Sequence, residues 1–369
     1  MGMNDKFKFS INEETLKKII DRKKEMGFEE KGWDEWFNTI LNSNSEKSNQ
    51  TEIEKIMEKM YYERLYENWV TNFALNLNNI WNESSARILD PSNDPDYKKE
   101  DHSAIVIGSG PSVKKYKHLE LLASSNYDGT IICCDSALKN ALTYGVTPEK
   151  FPQFYVVTID TDKIISRYYD DPIIIKYGKK INGVFSTVIH PSVTDNARKA
   201  GIKIHWLHSL FDYNEGKKSF NQISALMVRA QKQKGLPAIQ TGGNVGTSSW
   251  FIGWQILKCA NIGLIGINHS WDEDTPMEQI ISHGSGLQHM PMNESDPLFE
   301  KLFPRIYNPE FNCTCILDPY FQYYSNALKD FIMRSPYWVN TINSTEGGCI
   351  FGERILCQSF KEFLQKYKK

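Results

Sequence analysis

From about residue 12 to residue 81, hydrophobic positions recur three and four apart between charged ones, most clearly in EIEKIMEKMYYERLYENWVTNFALNLNNIW. This spacing places the apolar side chains on one face of a helix. A Pro- and charge-rich segment, DPSNDPDYKKED, follows and has no hydrophobic face to bury. We therefore predict a helical N-terminal region over residues 1–100.

After residue 100 the pattern changes to short, continuous apolar runs separated by helical stretches. The runs are SAIVIG, TIICCD, QFYVVTID, INGVFSTV, KIHWL and NIGLIGI. Apolar strands that alternate with helices are typical of a parallel sheet covered on both faces. The pattern predicts an α/β protein: a doubly wound, Rossmann-like, mostly parallel sheet forms a nucleotide-binding core over residues 101–275. An α-rich C-terminal extension is predicted over residues 276–369, and we expect it to complete the nucleotide-binding site.

Composition limits the classes of partner. Charged residues make up 24% of the 369 residues and nearly cancel, which leaves a net charge of -2 and no overall attraction to nucleic acid or to anionic membrane. No apolar run approaches the roughly 20 residues of a membrane span. The seven cysteines are odd in number and mostly lie in apolar stretches, which is typical of a reducing compartment. We expect a cytoplasmic protein without a membrane span; a homo-oligomer stays open.

The strongest local signal is a glycine-rich turn directly after an apolar strand, in AIVIGSGPSVKK. Glycine permits positive φ and close backbone approach, proline favours the first helical turn, and the serine after it can cap the helix. Amides at such a helix entry receive phosphate or ribose oxygens. We predict nucleotide binding by Gly108, Ser109, Gly110, Pro111 and Ser112. The alternative is a tight strand-to-helix turn without a ligand.

Two further predicted strands end in carboxylates. Asp135 and Ser136 follow TIICC, where they could bind a ribose or cap a helix. Asp160 and Asp162 follow the next strand. Two carboxylates at this spacing can ligate Mg²⁺ together with nucleotide phosphates, or simply end a strand in solvent and cap a helix. We predict nucleotide binding by the first pair, and catalysis with a candidate Mg²⁺ site at the second.

A second glycine-rich helix entry, QTGGNVGTSSW, carries hydrogen-bonding side chains and no charge. Uncharged donors suit a base, a sugar or a phosphate. The predicted nucleotide-binding residues here are Thr241, Gly242, Gly243, Asn244 and Thr247.

Two histidines beyond the last apolar strand, His283 and His289, are candidate catalytic residues. Histidine titrates near neutral pH and is a natural general base for an acceptor hydroxyl. Tyr320, Tyr323 and Tyr324 follow and could donate to a departing phosphate. A surface or structural role is the alternative for each histidine.

The chain resembles the MptE-like superfamily, which contains the archaeal 6-hydroxymethylpterin diphosphokinases and the motility-associated factors that glycosylate flagellin. The resemblance covers residues 100–352 and rests, in chain order, on AIVIGSGPSV, CCDSALKNALTYGVTPEKFPQFYVVTID, HPSV, TGGNVGTSSWFIGWQILKCANIGLIGIN and TEGG. The GSGPS entry and the helix before GIN also resemble bacterial lipooligosaccharide sialyltransferases, in which the loop holds the CMP part of a CMP-sugar. In one departure, Asn268 replaces the usual acid after GI, and Asp272 or Asp274 could substitute for it.

The resemblance implies a transferase whose substrate is a nucleotide or nucleotide-linked sugar. A glycosyltransferase would expel the nucleotide from a CMP-linked, sialic-acid-like sugar, with His283 or His289 as base and a glycan or protein as acceptor. A diphosphokinase would transfer diphosphate from ATP to a pterin, with Mg²⁺ at Asp135, Asp160 and Asp162. We favour the glycosyltransferase because the chain is long and its abundant Trp and Tyr can stack on sugars. A non-catalytic nucleotide-binding scaffold is the third hypothesis.

Overall fold

The computed structural model describes Ile20 and residues 52–211, 219–283 and 297–367. Contacts divide the chain into two units, Met1–Glu52 and Ile53–Lys369, and the sheet and helices described here belong to the second, apart from Glu52. The helical pattern predicted before residue 52 lies outside the described residues, except for Ile20, which is helical.

Thirteen strands occur in the described ranges. They are β1 (Ser84–Ser85), β2 (Ser103–Ile107), β3 (Thr130–Cys134), β4 (Phe154–Thr158), β5 (Asn182–Ser186), β6 (Lys203–Leu210), β7 (Ala238–Gln240), β8 (Asn261–Ile265), β9 (Trp271–Asp272), β10 (Arg305–Asn308), β11 (Cys313–Ile316), β12 (Asn340–Asn343) and β13 (Ile355–Cys357). Ten of them form one sheet in the order β1-β6-β5-β4-β3-β2-β8-β12-β13, with β7 paired to β6. Every pairing in this sheet is parallel.

The direction of winding reverses between β2 and β8. From β2 the chain moves strand by strand to β6 and then returns to the other side of β2 as β8. All residues of β2 and β3 are buried, as their continuous apolar runs predict. The order confirms the doubly wound, Rossmann-like fold. In such sheets the reversal opens a crevice at the carboxyl ends of the strands, where ligands bind.

Helices cover the sheet. In the described part of the chain they are α1 (Glu52–Asn82), α2 (Ser112–Lys115), α3 (His118–Ser124), α4 (Asp135–Thr143), α5 (Pro172–Tyr177), α6 (Pro191–Lys199), α7 (Phe220–Arg229), α8 (Val245–Phe251), α9 (Met277–Ser282), α10 (Pro297–Leu302), α11 (Pro319–Arg334) and α12 (Phe360–Lys366). Helix α8 continues through a π-helical turn, Ile252–Ile256. None of these helices combines the length and the apolar character that a membrane crossing requires.

Helix α1 is bonded to the loops at the carboxyl ends of β4 and β5. Asn72 Nδ2 donates to the carbonyl oxygens of Thr161 (3.1 Å) and Val188 (2.9 Å). Asn76 Nδ2 donates to the carbonyl oxygen of Ile189 at 2.7 Å. Buried carbonyl groups need such partners. The helix therefore forms one wall of this edge of the sheet.

The C-terminal part adds strands as well as helices. Strands β12 and β13 extend the main sheet beyond β8, while β10, β11 and β9 form a separate antiparallel sheet. A small core of Ile280, Phe303 and Ile316 joins that sheet to α9. The predicted α-rich extension did not include β10 to β13, and β9, just before the extension, was not predicted either.

Candidate functional site

The loop after β2 is bonded to the loop after β8 across the point where the winding reverses. Gly108 N donates to Ile265 O at 2.9 Å, and Gly110 N donates to Gly266 O at 3.0 Å. A Cβ atom on Gly110 would lie 2.2 Å from Asn268 Oδ1, so no larger residue fits without displacing a neighbour. The two loops therefore touch at the carboxyl ends of β2 and β8, the part of a doubly wound sheet in which the ligand-binding crevice is expected.

The serine hydroxyls of the first glycine-rich loop have specific partners. Pro111, and not Ser112, occupies the N-cap position of α2, so the predicted cap is wrong. Ser112 Oγ instead donates to Asn268 Oδ1 at 2.9 Å, which explains why a polar residue follows β8. Ser136 Oγ donates to Ser109 Oγ at 3.2 Å. The two glycine amides are used inside the protein, and Ser109 and Pro111 are the exposed residues of the loop.

Asp135 lies beneath the surface of the crevice. Its Oδ1 accepts from Ser136 N at 2.7 Å and its Oδ2 from Thr158 Oγ1 at 3.0 Å. Tyr169 OH lies 2.6 Å from the same threonine oxygen. Burial raises the pKa of the Asp135 carboxyl to about 7, although the bond from Thr158 opposes this shift. Asp135 thus orients Ser136, and its predicted contact with a nucleotide stays a prediction.

Asp160 and Asp162 fold the loop after β4. Asp160 Oδ1 accepts from Asp162 N at 3.0 Å, and Asp162 Oδ1 accepts from Ile164 N at 2.9 Å, where it caps the 3-10 helix Lys163–Tyr169. Asp160 is exposed, and the protein around it still removes enough water to raise the pKa of its carboxyl. Within the described ranges, no group of three or more His, Cys, Asp or Glu residues is placed to hold a metal ion. Mg²⁺ that arrives with phosphates commonly uses only one or two protein carboxylates, so the predicted Mg²⁺ contact stays a prediction.

The second glycine-rich loop uses its polar side chains to form its own fold. Asn244 Oδ1 accepts from Thr247 N at 2.9 Å and caps α8, while Asn244 Nδ2 donates to Thr247 Oγ1 at 3.0 Å. Gly243 N donates to Thr241 Oγ1 at 3.3 Å. Gly242 and Gly243 both have positive φ, 56° and 77°, a conformation that favours glycine. The polar side chains of the loop are therefore used in bonds within the loop, and its nucleotide contacts stay predictions.

His283 pairs with a buried carboxylate. Its Nδ1 lies 2.6 Å from Oδ2 of Asp318, whose side chain is fully buried. The other two partners of Asp318 can only donate: Trp271 Nε1 donates to Oδ2 at 3.0 Å, and Phe321 N donates to Oδ1 at 2.7 Å. Because these partners leave the carboxylate as the acceptor, His283 Nδ1 is the donor in this pair. His283 is 36% exposed, and its Nε2 has no hydrogen bond to another described residue.

An aromatic layer connects His283 to the crevice. The ring of Phe321 lies 5.0 Å from that of His283 and 6.4 Å from that of His269, in the loop after β8. The ring of Tyr324 lies 6.0 Å from that of His269. A Cβ atom on Gly243 would approach Tyr324 to 2.8 Å. His283, the loop after β8 and the second glycine-rich loop are therefore linked through their contacts with α11.

Arg64 of α1 is close enough to Asp160, after β4, and to Tyr320, in α11, for its charge to act on both. Burial raises the pKa of the Asp160 carboxyl and of the Tyr320 hydroxyl, and the positive charge of Arg64 opposes both shifts. Because the charge of Arg64 acts on both groups, Asp160 and Tyr320 both lie in its neighbourhood. The start of α11, which carries Asp318 and Tyr320, thus borders the region of the predicted acidic pair. His289, the other predicted base, lies outside the described residues.

Comparison with known proteins identifies the family. The sequence profile described as 6-hydroxymethylpterin diphosphokinase MptE-like matches residues 71–274. The chain belongs to the MptE-like family. The matched part runs from α1 past β8, so it includes both glycine-rich loops and the crevice of this MptE-like protein, whereas His283 and Asp318 lie beyond it. Membership supports a transferase and does not by itself decide which group is transferred.

A search of solved structures found similarity between this chain and a MAf glycosyltransferase from Magnetospirillum magneticum AMB-1, with a TM-score of 0.45 and 15% sequence identity. The match covers 71% of the MptE-like chain and 34% of the glycosyltransferase chain, so the MptE-like chain spans about a third of that protein. No curated protein matches the sequence.

Sequence reasoning missed two residues at this edge of the MptE-like protein. Asp318 precedes proline and an aromatic run, DPYFQYY, which is a helix-start signal and could have drawn attention to it. His190 ends the loop after β5, and its Nδ1 accepts from Ser192 N at 3.2 Å, so its hydrogen is on Nε2. The HPSV motif contained this histidine, but no role was predicted for it.

Two cavities lie at the opposite end of the sheet. One, of about 370 Å³, is lined by Ser84 and Lys203, which begin β1 and β6. The other, of about 250 Å³, is lined by Ser103 and Asn261, which begin β2 and β8. Neither includes a residue of the crevice, and the chemistry described above belongs to the carboxyl edge.

Proposed function

We propose that this MptE-like protein is a glycosyltransferase that uses a nucleotide-activated, CMP-linked sugar. The observation that carries the proposal is His283, a partly exposed histidine beside the crevice whose Nδ1 is bonded and whose Nε2 is left to act as a base. Transfer of a sugar to a hydroxyl requires a base that removes the hydroxyl proton.

The two glycine-rich loops favour a donor with little phosphate charge. The segments GSGPS and TGGNVGTS contain no charged residue. Enzymes that bind nucleoside triphosphates usually add a lysine and Mg²⁺ to neutralise the phosphates. The single phosphate of CMP is satisfied by hydrogen-bond donors such as Ser109 and Ser136, which meet at the floor of the crevice. The loop Thr241–Asn244 forms its wall.

In the reaction, the acceptor hydroxyl oxygen attacks the anomeric carbon of the bound sugar. His283 Nε2 takes the hydroxyl proton, the new carbon–oxygen bond forms, and the bond between the sugar and the phosphate breaks. CMP leaves with the bonding electrons, and Tyr320, Tyr323 and Tyr324 of α11 would donate to its phosphate. The acceptor is a glycan or a protein side chain.

A pterin diphosphokinase is the second candidate. It is favoured by the description of the family and by Asp160 and Asp162, whose carboxylates follow β4 at the same edge. Mg²⁺ held there with ATP would offset the phosphate charge. A non-catalytic nucleotide-binding protein is the third, and it is distinguished by binding without turnover.

Turnover assays distinguish the three candidate functions: glycosyltransferase, diphosphokinase and non-catalytic nucleotide-binding protein. Purified protein is incubated with CMP-sialic acid and a glycan acceptor, and separately with ATP, Mg²⁺ and a hydroxymethylpterin. We expect CMP release and sugar transfer, and we expect His283→Gln to reduce transfer by roughly 100-fold or more while CMP still binds. His102→Gln, at the amino end of β2, is the matched control. Diphosphate transfer that is lost in Asp160→Asn would instead establish the kinase.

A further inference from the structure

We infer that Asp318 is the positioning residue for His283: it fixes the imidazole with hydrogen on Nδ1 and leaves Nε2 as the proton acceptor. The inference rests on the proposed function for its catalytic meaning. The pairing itself is a property of the free protein and can be measured without any substrate.

The carboxylate of Asp318 is held so that it cannot turn away. Its Oδ1 accepts from Phe321 N as the N-cap of α11, and its Oδ2 accepts from both Trp271 Nε1 and His283 Nδ1. The side chain is fully buried, so water does not compete for these bonds. A neutral imidazole in this setting can have only one tautomer, with its hydrogen on the nitrogen that faces the carboxylate.

Rings on three sides hold the imidazole in place. Trp271 packs against it edge-on with centroids 5.0 Å apart, Tyr320 edge-on at 5.9 Å, and Phe321 tilted at 5.0 Å. Two of these rings come from the start of α11, the helix that Asp318 caps. Orientation of a base by a third group is the arrangement of catalytic triads, and the orienting carboxylate of such a triad acts through the histidine.

The tautomer is the direct test. Nitrogen-15 NMR of the full chain reports which imidazole nitrogen carries hydrogen, and the His283 signal is assigned by its loss in His283→Gln. In the wild type, neutral His283 should show a protonated Nδ1 and a bare Nε2. In Asp318→Asn, which still caps α11, this preference should be lost. The same tautomer in both proteins, or hydrogen on Nε2 in the wild type, overturns the inference.

Two matched variants distinguish positioning from general structure. Trp271→Phe removes one hydrogen bond from Asp318 and keeps an aromatic ring, so the His283 tautomer should not change. Asp330→Asn lies on the exposed side of the same helix, where the aspartate pairs with Arg334, and should also leave it unchanged. A tautomer that changes equally in all three variants contradicts the assignment of this role to Asp318.

Kinetics give the second readout. Asp318→Asn should lower kcat for sugar transfer by about 100-fold to 10⁴-fold with little change in KM for the donor, because removing the orienting carboxylate leaves binding intact. Normal kcat in Asp318→Asn alongside loss of activity in His283→Gln overturns the inference. If no transfer occurs in any protein, the proposed function fails, and the NMR result alone decides the pairing.

Discussion

Gly110 lies where two loops touch, and its lack of a side chain is required there. A Cβ atom would lie 2.2 Å from Asn268 Oδ1 and 2.7 Å from Gly266 O. Gly110→Ala should therefore separate the loops, lower the free energy of unfolding by about 1–3 kcal/mol and weaken CMP binding by roughly tenfold or more. Urea unfolding and calorimetric titration measure the two effects.

Gly347→Ala is the control for this substitution. A Cβ atom on Gly347 meets no atom within 4 Å, so the change should leave stability and binding close to those of the wild type. Equal behaviour of the two variants would show that the contact between the loops does not shape the crevice.

The helix starts at the two glycine-rich loops could be predicted from the sequence, whereas the partners of the polar side chains could not. The two glycine-rich loops do begin helices, as predicted from turn chemistry. The partners of the polar side chains were out of reach because they are distant in the chain: Ser112 pairs with Asn268, 156 residues away. His283 and Asp318 meet across 35 residues, and only the packing of α9 against α11 brings them together.

At the scale of elements, Asn72 of α1 gives a prediction about the loops after β4 and β5. Asn72→Ala would leave the carbonyl oxygens of Thr161 and Val188 without their donor. Loss of a partner for buried polar groups costs about 1–3 kcal/mol, so the free energy of unfolding should fall by this amount. The urea midpoint should fall in proportion to it. Asn78→Ala on the exposed side of the same helix should have little effect, and an equal fall in both variants would contradict the proposed wall.

Long apolar runs predicted the strands that determine the fold. The six runs became β2, β3, β4, β5, β6 and β8, which are largely buried and need no partner information to be recognised. Strands β1, β7, β12 and β13 are two to four residues long, too short for periodicity to identify. Strands β9 to β11 are antiparallel and partly exposed, so their formation depends on tertiary pairing.

At the scale of the whole molecule, buried histidines should make stability depend on pH. Burial lowers the pKa of His205 and of His208 to about 4, and that of His269 to about 3. Between pH 6.5 and about 4 these histidines are protonated in the unfolded chain but stay neutral in the folded protein. Asp135, with its raised pKa of about 7, and Asp160, whose carboxyl pKa is also raised, act in the opposite direction but are outnumbered by the buried histidines.

The free energy of unfolding should therefore fall as pH falls through this window, by roughly 2 kcal/mol per pH unit at its steepest. Urea unfolding at about pH 7.5 and about pH 5 measures the slope. His269→Asn, which suits the positive φ of 46° at this position, should reduce it. Stability that is flat or rises on acidification would contradict the neutral, buried state of these histidines.

Binding of the nucleotide of a CMP-linked donor in the crevice between β2 and β8 is tested most directly by a thermal-shift measurement. The ligands are CMP and ATP, each with and without Mg²⁺. A ligand at 100 times its Kd stabilises the folded state by about 2.7 kcal/mol, which raises Tm by several degrees. We predict a metal-independent rise with CMP that is reduced by about half or more in Gly110→Ala and kept in Gly347→Ala. A rise only with ATP and Mg²⁺, or no rise with either nucleotide, would contradict the account.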